Sequence, residues 1–389
     1  MKKLKNLLFF VLVGATLFLI PALAFGTVAE AQSLAEKVKD YTSLAEVSAE
    51  NNKNNSSLAE VSAENNKNNS SLAEFSAQIN KNNSSLAEFS ASDGFSFLYF
   101  GDVQFTDDMN SEYAAFGKML DGAYAKNPEI AFAVSCGDLV NNGQSSAQWT
   151  AFLENTAAFF ENVPFFAAAG NHESNSKSGK PELMLKLFDF PENGPDGFKE
   201  EFYSWEYGNC HITVLNSCVF MGEQEMIEKD FADIKNWLIN DLQSAKTDFK
   251  IVVLHHPPYG VMNDKTGQAV LANWCPVFEK CGVDLVLSGH QHCYMRTADI
   301  NGVTYVIGNG GKKEYHAVNT ENAAVCIENI SSYQIVNISK DTLSLTSYNE
   351  NHQAVDSWQK SAAKPPATAK GQTVRVFLDV LAGIMRGVR

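Results

Sequence analysis

Basic residues are scarce in this chain: 30 Lys and Arg stand against 45 Asp and Glu, a formal net charge of -15 over 389 residues. Non-specific nucleic-acid binding needs a stripe of cations, so a nucleic-acid scaffold is not an expected partner. An ordinary membrane span is missing from the N-terminus, where the apolar run Leu7 to Ile20 holds only 14 residues. No Cys-x-x-Cys pair occurs, which removes a zinc ribbon. The cysteines number seven, an odd count that leaves at least one free or paired with another chain in an exported protein. Cys136 and Cys210 sit in apolar strand-like runs and should behave as small hydrophobes, whereas Cys275 and Cys281 flank a short helical segment and are candidates to pair. Disorder-type composition is absent from most of the chain, because 26 Phe supply ample material for a core.

The ends differ from the middle. Lys2, Lys3 and Lys5 precede the apolar run, Pro21 breaks it, and small residues follow at Ala22/Ala24 and Ala29/Ala31. That is the layout of a secretory signal peptide over 1–31, with an uncleaved anchor as the alternative, and it implies a secreted or cell-surface protein. Residues 32–92 carry a repeat of period 14: Ser-Leu-Ala-Glu-Val-Ser-Ala-Glu-Asn-Asn-Lys-Asn-Asn-Ser stands at 43 and again at 57, with variants at 71 and 85. Leu and Val or Phe fall at a and d positions of two heptads, so a coiled-coil stalk that self-associates is one reading. Half of that seam is Asn, which favours an Asn/Ser-rich spacer that buries little. After Trp358 the composition turns to Lys, Ala and Pro, and 359–389 is expected to be a linker ending in a short amphipathic helix. Contact of that helix with a membrane, docking on its own domain and fraying are all open readings.

Between them, 93–358 alternates strand-like and helix-like segments and then turns to strands. Strands are expected at 95–101, 130–136, 164–169, 250–255, 283–287, 303–307, 333–338 and 342–348, with a hairpin of 203–207 and 212–216 around Gly208-Asn209. Helices are expected near 110–126, 145–161 and 269–281. Another spans 223–245, with Ile227, Phe231, Ile234, Trp237, Leu238 and Leu242 at helical spacing. Alternation first and strands later point to two sheets with helices outside.

Five of the strand-like runs end in metal-ligand residue types: Asp102, Asp138, Asn171 with His172, His255 with His256, and His290 with His292. In open α/β sheets, ligands bind at the carboxyl ends of strands. Carboxylate, amide and imidazole donors together suit zinc, manganese or iron. Taken singly, an Asp after a strand is a helix cap and a His is a hydrogen-bonded structural residue; five such turns in order argue for one site. Asp138 is the natural residue to be shared by two ions, since a bridging carboxylate offsets the repulsion between cations about 3.5–4 Å apart.

The motifs Gly101-Asp-Val-Gln104, Gly137-Asp-Leu-Val-Asn-Asn-Gly143, Gly170-Asn-His-Glu173, Val252-Val-Leu-His255 and Gly289-His-Gln-His292 resemble the five blocks of the calcineurin-like metallophosphoesterases. His255-His-Pro-Pro-Tyr259 and Gly308-Asn-Gly-Gly311 make the chain most similar to their purple acid phosphatase branch. The resemblance spans roughly residues 95–350. It implies an α/β fold of mixed α+β character, a four-layer sandwich of two mixed β-sheets flanked by helices. It also implies a centre of two divalent or trivalent metal ions (Fe, Zn or Mn) that hydrolyses phosphate esters through a metal-bound hydroxide. By motif, Asp138 would bridge the ions, Asp102 and His292 would hold the first, and Asn171, His255 and His290 the second. His172 would face the substrate phosphate and carry a proton to the leaving oxygen, with Asn171 and His256 also near the substrate.

Two positions depart from the family pattern. Asn141 stands where purple acid phosphatases place an iron-binding tyrosine, so no tyrosinate colour is expected. Gln104 stands where many other members place a histidine ligand; it is either a weaker ligand of the first metal or a residue that holds a water beside it. The function implied is an exported phosphomonoesterase. A phosphodiesterase or nucleotidase on the same centre, and a surface interaction protein with a degenerate metal site, are the alternatives. The loop at Lys312, Lys313, Tyr315 and His316 either presents cations to a second phosphate or is a solvated loop.

Overall fold

The computed structural model describes residues 71–84, 94–222 and 225–362. The expected signal peptide, most of the repeat and the C-terminal tail lie outside these residues. No described helix is long and apolar enough to cross a membrane.

The first sheet begins with β1 (Phe95–Phe100), in which five of six residues are buried. Such a run suits a strand covered on both faces. β2 (Ile130–Ser135) and β3 (Phe165–Ala167) lie parallel beside it, and β3 forms the sheet's outer edge. On the other side β11 (Ser332–Ile338) pairs antiparallel with β1, in a register that sets Phe97 opposite Val336. β12 (Thr342–Asn349) and β13 (Ala354–Ser361) complete a six-stranded mixed sheet.

The second sheet has seven strands. Its parallel centre is β5 (Cys210–Val214), β6 (Phe249–Val253), β7 (Leu285–Ser288) and β9 (Thr304–Ile307). Antiparallel β4 (Tyr203–Tyr207) flanks one side, while β8 (Tyr294–Thr297) and β10 (Ala323–Ile327) flank the other. Two mixed sheets with helices is the architecture expected from the alternation. Phenylalanines fill much of the space around the first sheet: Phe97 stacks on Phe132 at 5.0 Å, and Phe132 meets Trp205 of β4 edge-on at 5.7 Å.

Residues 71–84 are helical and form α1. Then come α2 (Met109–Lys126), α3 (Ser146–Phe160), α4 (Glu182–Leu187), α5 (Glu228–Ser244), α6 (Lys265–Asn273) and α7 (Cys275–Cys281). Side-chain caps start several of them: Asp108 accepts from Ser111 N, Ser145 from Gln148 N, and Asp264 from Thr266 N and Gly267 N. Tyr113, Phe116, Leu120 and Ala123 place the buried face of α2 at helical spacing.

Differences from the expected elements have local causes. The segment expected as one helix at 269–281 is two, broken at Trp274, because Pro276 has no N–H to continue the first. The helix expected from 223 starts at Glu228; Ile227 is its N-cap and 59% exposed, so only Ile234, Leu238 and Leu242 form the buried stripe. Cys275 and Cys281 sit at opposite ends of α7, about 9 Å apart along its axis, too far to bridge. All seven cysteines are thiols.

Candidate metal centre

Each ligand turn sits at a strand's carboxyl end, and the backbone there is bent to an unusual degree. Asp102, Asp138, His290 and His292 all have left-handed φ, between 47° and 68°. Non-glycine residues adopt this region rarely, and such strain collects at functional sites. Glycines allow the turns to meet. A Cβ on Gly170 would lie 2.2 Å from Asp138 Oδ1, and one on Gly289 would lie 1.9 Å from Asp102 Oδ2.

The turns bring two donor groups together. In one, Asn171 Oδ1 lies 3.0 Å from His255 Nε2 and 2.9 Å from His290 Nδ1, and those nitrogens are 3.2 Å apart. In the other, Asp102, Asp138 and His292 offer ligand atoms within 4.8 Å of one another. Gln104 joins this second group, its Nε2 3.1 Å from Asp138 Oδ2 and 3.3 Å from His292 Nε2. Asp138 touches both groups, since its Oδ2 is 3.3 Å from His255 Nε2. All six expected ligands, and Gln104, therefore converge.

The surroundings fix how the ligands point. His255 Nδ1 lies 3.0 Å from the Cys136 carbonyl; donating there leaves Nε2 to face Asn171 and Asp138. The His290 N–H donates to both Asp102 carboxylate oxygens at 2.8 Å, and His172 N–H donates to Asp138 Oδ1 at 2.9 Å. His172 Nδ1 is 2.7 Å from the Asn141 carbonyl, while its Nε2 is 3.9 Å from Asp138 Oδ2. His256 Nδ1 pairs with Ser217 Oγ at 2.9 Å, and its ring lies 4.4 Å from that of His290. Asn141, in the position of the family's tyrosine, turns its side chain away to donate to the Phe105 carbonyl at 2.8 Å.

Charge in this pocket is poorly matched by protein groups alone. Burial pushes the Asp102 carboxyl up to about 7, with His255 opposing and Asp138 adding to the rise. For Asp138, burial also acts upward, but His255 and His172 outweigh it and hold the carboxyl well below its ordinary value. Burial lowers His290 to about 4 and His292 to about 3, aided by the positive charges of His255 and Lys313 respectively. Burial, with the neighbouring Asp102 adding to the rise, lifts Cys136 to about 12, which keeps it a thiol. Gln104 Oε1 and His292 Nδ1 are buried without a hydrogen-bond partner among the described residues. Turning the Gln104 amide over would aim that oxygen at the Asp138–His292 space, where a cation and not a carboxylate would accept it. Oxygen and imidazole donors in two groups sharing one carboxylate fit a pair of hard or borderline cations.

The sequence comparison agrees with this geometry. The family model for calcineurin-like phosphoesterases matches residues 95–294. The chain belongs to that family. Within it, this phosphoesterase family member is similar to the purple acid phosphatases. It is 27% identical over 197 residues to purple acid phosphatase 18 of Arabidopsis thaliana, covering 46% of this chain and 43% of that one. The chain spans a little under half the length of the curated relatives it matches. The fold is shared with purple acid phosphatase PPD1 of yellow lupin, at a TM-score of 0.54 and 18% identity over 72% of this chain and 58% of that one. It is also shared with GAP50, the anchor in the inner membrane complex of Plasmodium, at a TM-score of 0.56 and 15% identity over 74% and 95%.

Two contributors were not assigned roles from sequence. Glu173 is 1% exposed and accepts N–H groups from Asp138 (2.6 Å), Leu139 (2.9 Å), Val140 (3.4 Å) and Gly170 (2.9 Å), so one carboxylate binds two ligand turns together. Its place in the Gly-Asn-His-Glu motif was visible; its three partners in the Asp138 turn, 33 to 35 residues back in the chain, were not. Ser217 was hidden for the same reason, since it meets His256 across 39 residues.

Proposed function

We propose that this protein is an exported metal-dependent phosphomonoesterase with a dinuclear centre. The observation that carries the reading is the convergence of donors from five strand ends into two groups joined by Asp138. Asp102, Asp138 and His292, with Gln104 at their edge, would hold one ion; Asp138, Asn171, His255 and His290 would hold the other. Bound there, the two ions supply Lewis acidity toward phosphoryl oxygens and acidify water.

The chain's own groups do the rest. His172 is anchored at Nδ1 by the Asn141 carbonyl, which leaves Nε2 as the atom that exchanges a proton with the leaving oxygen. His256, oriented by Ser217, stands beside His290 as a further contact for the phosphate. Lys313 lies over the Tyr315 ring at 5.4 Å, and that ring packs on His292 at 4.6 Å, which puts a cation at the rim for an anionic substrate. That the same fold serves as an anchor in Plasmodium makes a non-catalytic role the competing reading. The intact donor set argues against it.

Full-length protein supplied with Mn, Zn or Fe should release phosphate from an aryl phosphate monoester faster than from the matching diester, and Asp138→Asn should abolish release. Preference for the diester would move the assignment to a phosphodiesterase or nucleotidase; no turnover of either ester with any of these metals would leave the anchor-type reading. Export is tested separately, by the N-terminal sequence of protein recovered outside the cell.

A further inference from the structure

One copy of the 14-residue repeat is part of the folded domain. Helix α1 is the copy at 71–84, Ser-Leu-Ala-Glu-Phe-Ser-Ala-Gln-Ile-Asn-Lys-Asn-Asn-Ser. It lies along the β3 edge of the first sheet, with Leu72 5% and Ile79 2% exposed and Phe75 packed against the same core. Its polar residues bind backbone groups that the domain leaves open. The Asn83 carboxamide takes both backbone groups of Phe165, donating to its carbonyl at 2.8 Å and accepting its N–H at 2.7 Å, as a neighbouring strand would. Asn82 donates to the Phe160 and Glu161 carbonyls at the end of α3, at 2.8 and 3.0 Å. Helix ends leave such carbonyls without partners of their own. Asn80 accepts from Asp189 N–H at 2.9 Å and donates to the Leu187 carbonyl at 3.3 Å, and Ser76 donates to that same carbonyl.

The copies at 43–56 and 57–70 keep the Leu, the Ser and all three of these Asn residues. They differ from 71–84 at three positions only: Val for Phe75, Glu for Gln78 and Asn for Ile79. Each difference acts on docking. Ile79 is buried, and Asn in its place would bring an amide into an apolar contact. Phe75 adds apolar area that Val lacks. Gln78 Nε2 donates to Asn82 Oδ1 at 3.2 Å and so turns the Asn82 amide N–H groups toward the α3 carbonyls. A glutamate there has no proton to donate and would draw those N–H groups to itself.

We propose that the groove formed by the β3 edge, the end of α3 and the turn after α4 is a docking site for the 14-residue repeat. The chain's own third copy occupies it, selected over the first two by Phe75, Gln78 and Ile79. The folded domain then includes the copy that begins at Ser71. Docking also fixes the start of β3, whose other end leads into Asn171 and His172.

The repeat carries its own reporter, because the first three copies each have one lysine at the same place: Lys53, Lys67 and Lys81. Limited trypsin digestion of the full chain, followed by mass spectrometry, should show cleavage at Lys53 and Lys67 with Lys81 protected, and this protection should not change with protein concentration. Ile79→Asn should raise the rate at Lys81 by about tenfold or more. In that background, giving copy 57–70 the docking residues through Val61→Phe, Glu64→Gln and Asn65→Ile should move protection to Lys67. That rescue separates undocking from misfolding. Equal cleavage at all three lysines in the wild type would overturn the proposal. So would failure of the rescue to protect Lys67, and protection at Lys81 that grows with concentration would overturn the assignment of the chain's own copy as occupant.

Discussion

His172 differs from the other histidines of the centre in being held by a backbone carbonyl on one side and left open on the other. A proton donor of this kind matters in proportion to how poor the leaving group is. His172→Ala is expected to lower kcat on an alkyl phosphate by about 10²–10⁴ and to cost much less on a nitrophenyl phosphate, whose oxygen leaves without help. Equal losses on both substrates, in steady-state assays, would assign His172 to binding alone. Glu173 tests a different link. Its carboxylate accepts four N–H groups while nearly fully buried. Glu173→Gln keeps the shape but replaces one acceptor oxygen by a donor, and is expected to lower stability by about 2–3 kcal/mol in denaturant melts. Bound metal content should fall with it, because the Asp138 and Asn171 turns lose their common anchor. The residues that converge at the candidate centre were legible in the sequence as candidates, since each is a polar residue just after an apolar run. Glu173 and Ser217 were not, because their roles depend on partners that only the folded chain brings near.

Among the elements, β13 shows where the sequence pattern gives out. Its residues are half-exposed edge positions next to a Lys- and Pro-containing stretch, so they lack the apolar run that marked β1 or β2. β8 and β10 went unseen for similar reasons, being only four and five residues long. Besides its ladder with β12, β13 makes a contact with the other sheet: Arg296 of β8 binds Asp356 through two bonds of 2.7 and 3.0 Å, and Tyr294 donates to the same carboxylate at 2.7 Å. Burial tends to raise the Asp356 carboxyl, but these partners outweigh it and hold it below its ordinary value. A lowered folded-state value means stabilisation that is fully present above the unfolded carboxyl value of about 3.9 and is lost as pH falls through the folded one. Asp356→Asn should therefore be less stable than wild type at pH 7, by about 1–3 kcal/mol, with the gap closing in acid. A gap independent of pH, in urea melts from pH 7 down to pH 2.5, would mean that packing and not charge holds this strand.

At the scale of the molecule, the centre joins the two sheets. Asp102, Asp138 and Asn171 follow β1, β2 and β3 of the first sheet; His255, His290 and His292 follow β6 and β7 of the second. Protein contacts already cross this junction, from His290 N–H to Asp102 and from His255 to the Cys136 carbonyl. They leave two buried carboxylates facing histidines whose charge states conflict, a junction that cations would complete. Ions that bind the folded chain and not the unfolded one stabilise it by mass action, about 4 kcal/mol at a thousandfold excess over Kd. For a domain of this size that is about 10 °C in Tm. Chelation of metal-loaded protein should remove this increment and should speed amide exchange at the carboxyl ends of both sets of strands, not of one alone. Asp138→Asn, which takes away the carboxylate common to the two donor groups, should start with a lower Tm and respond little to chelator. A wild-type Tm unmoved by chelation, or exchange changes confined to β6 and β7, would show that the two sheets are held together without the metals.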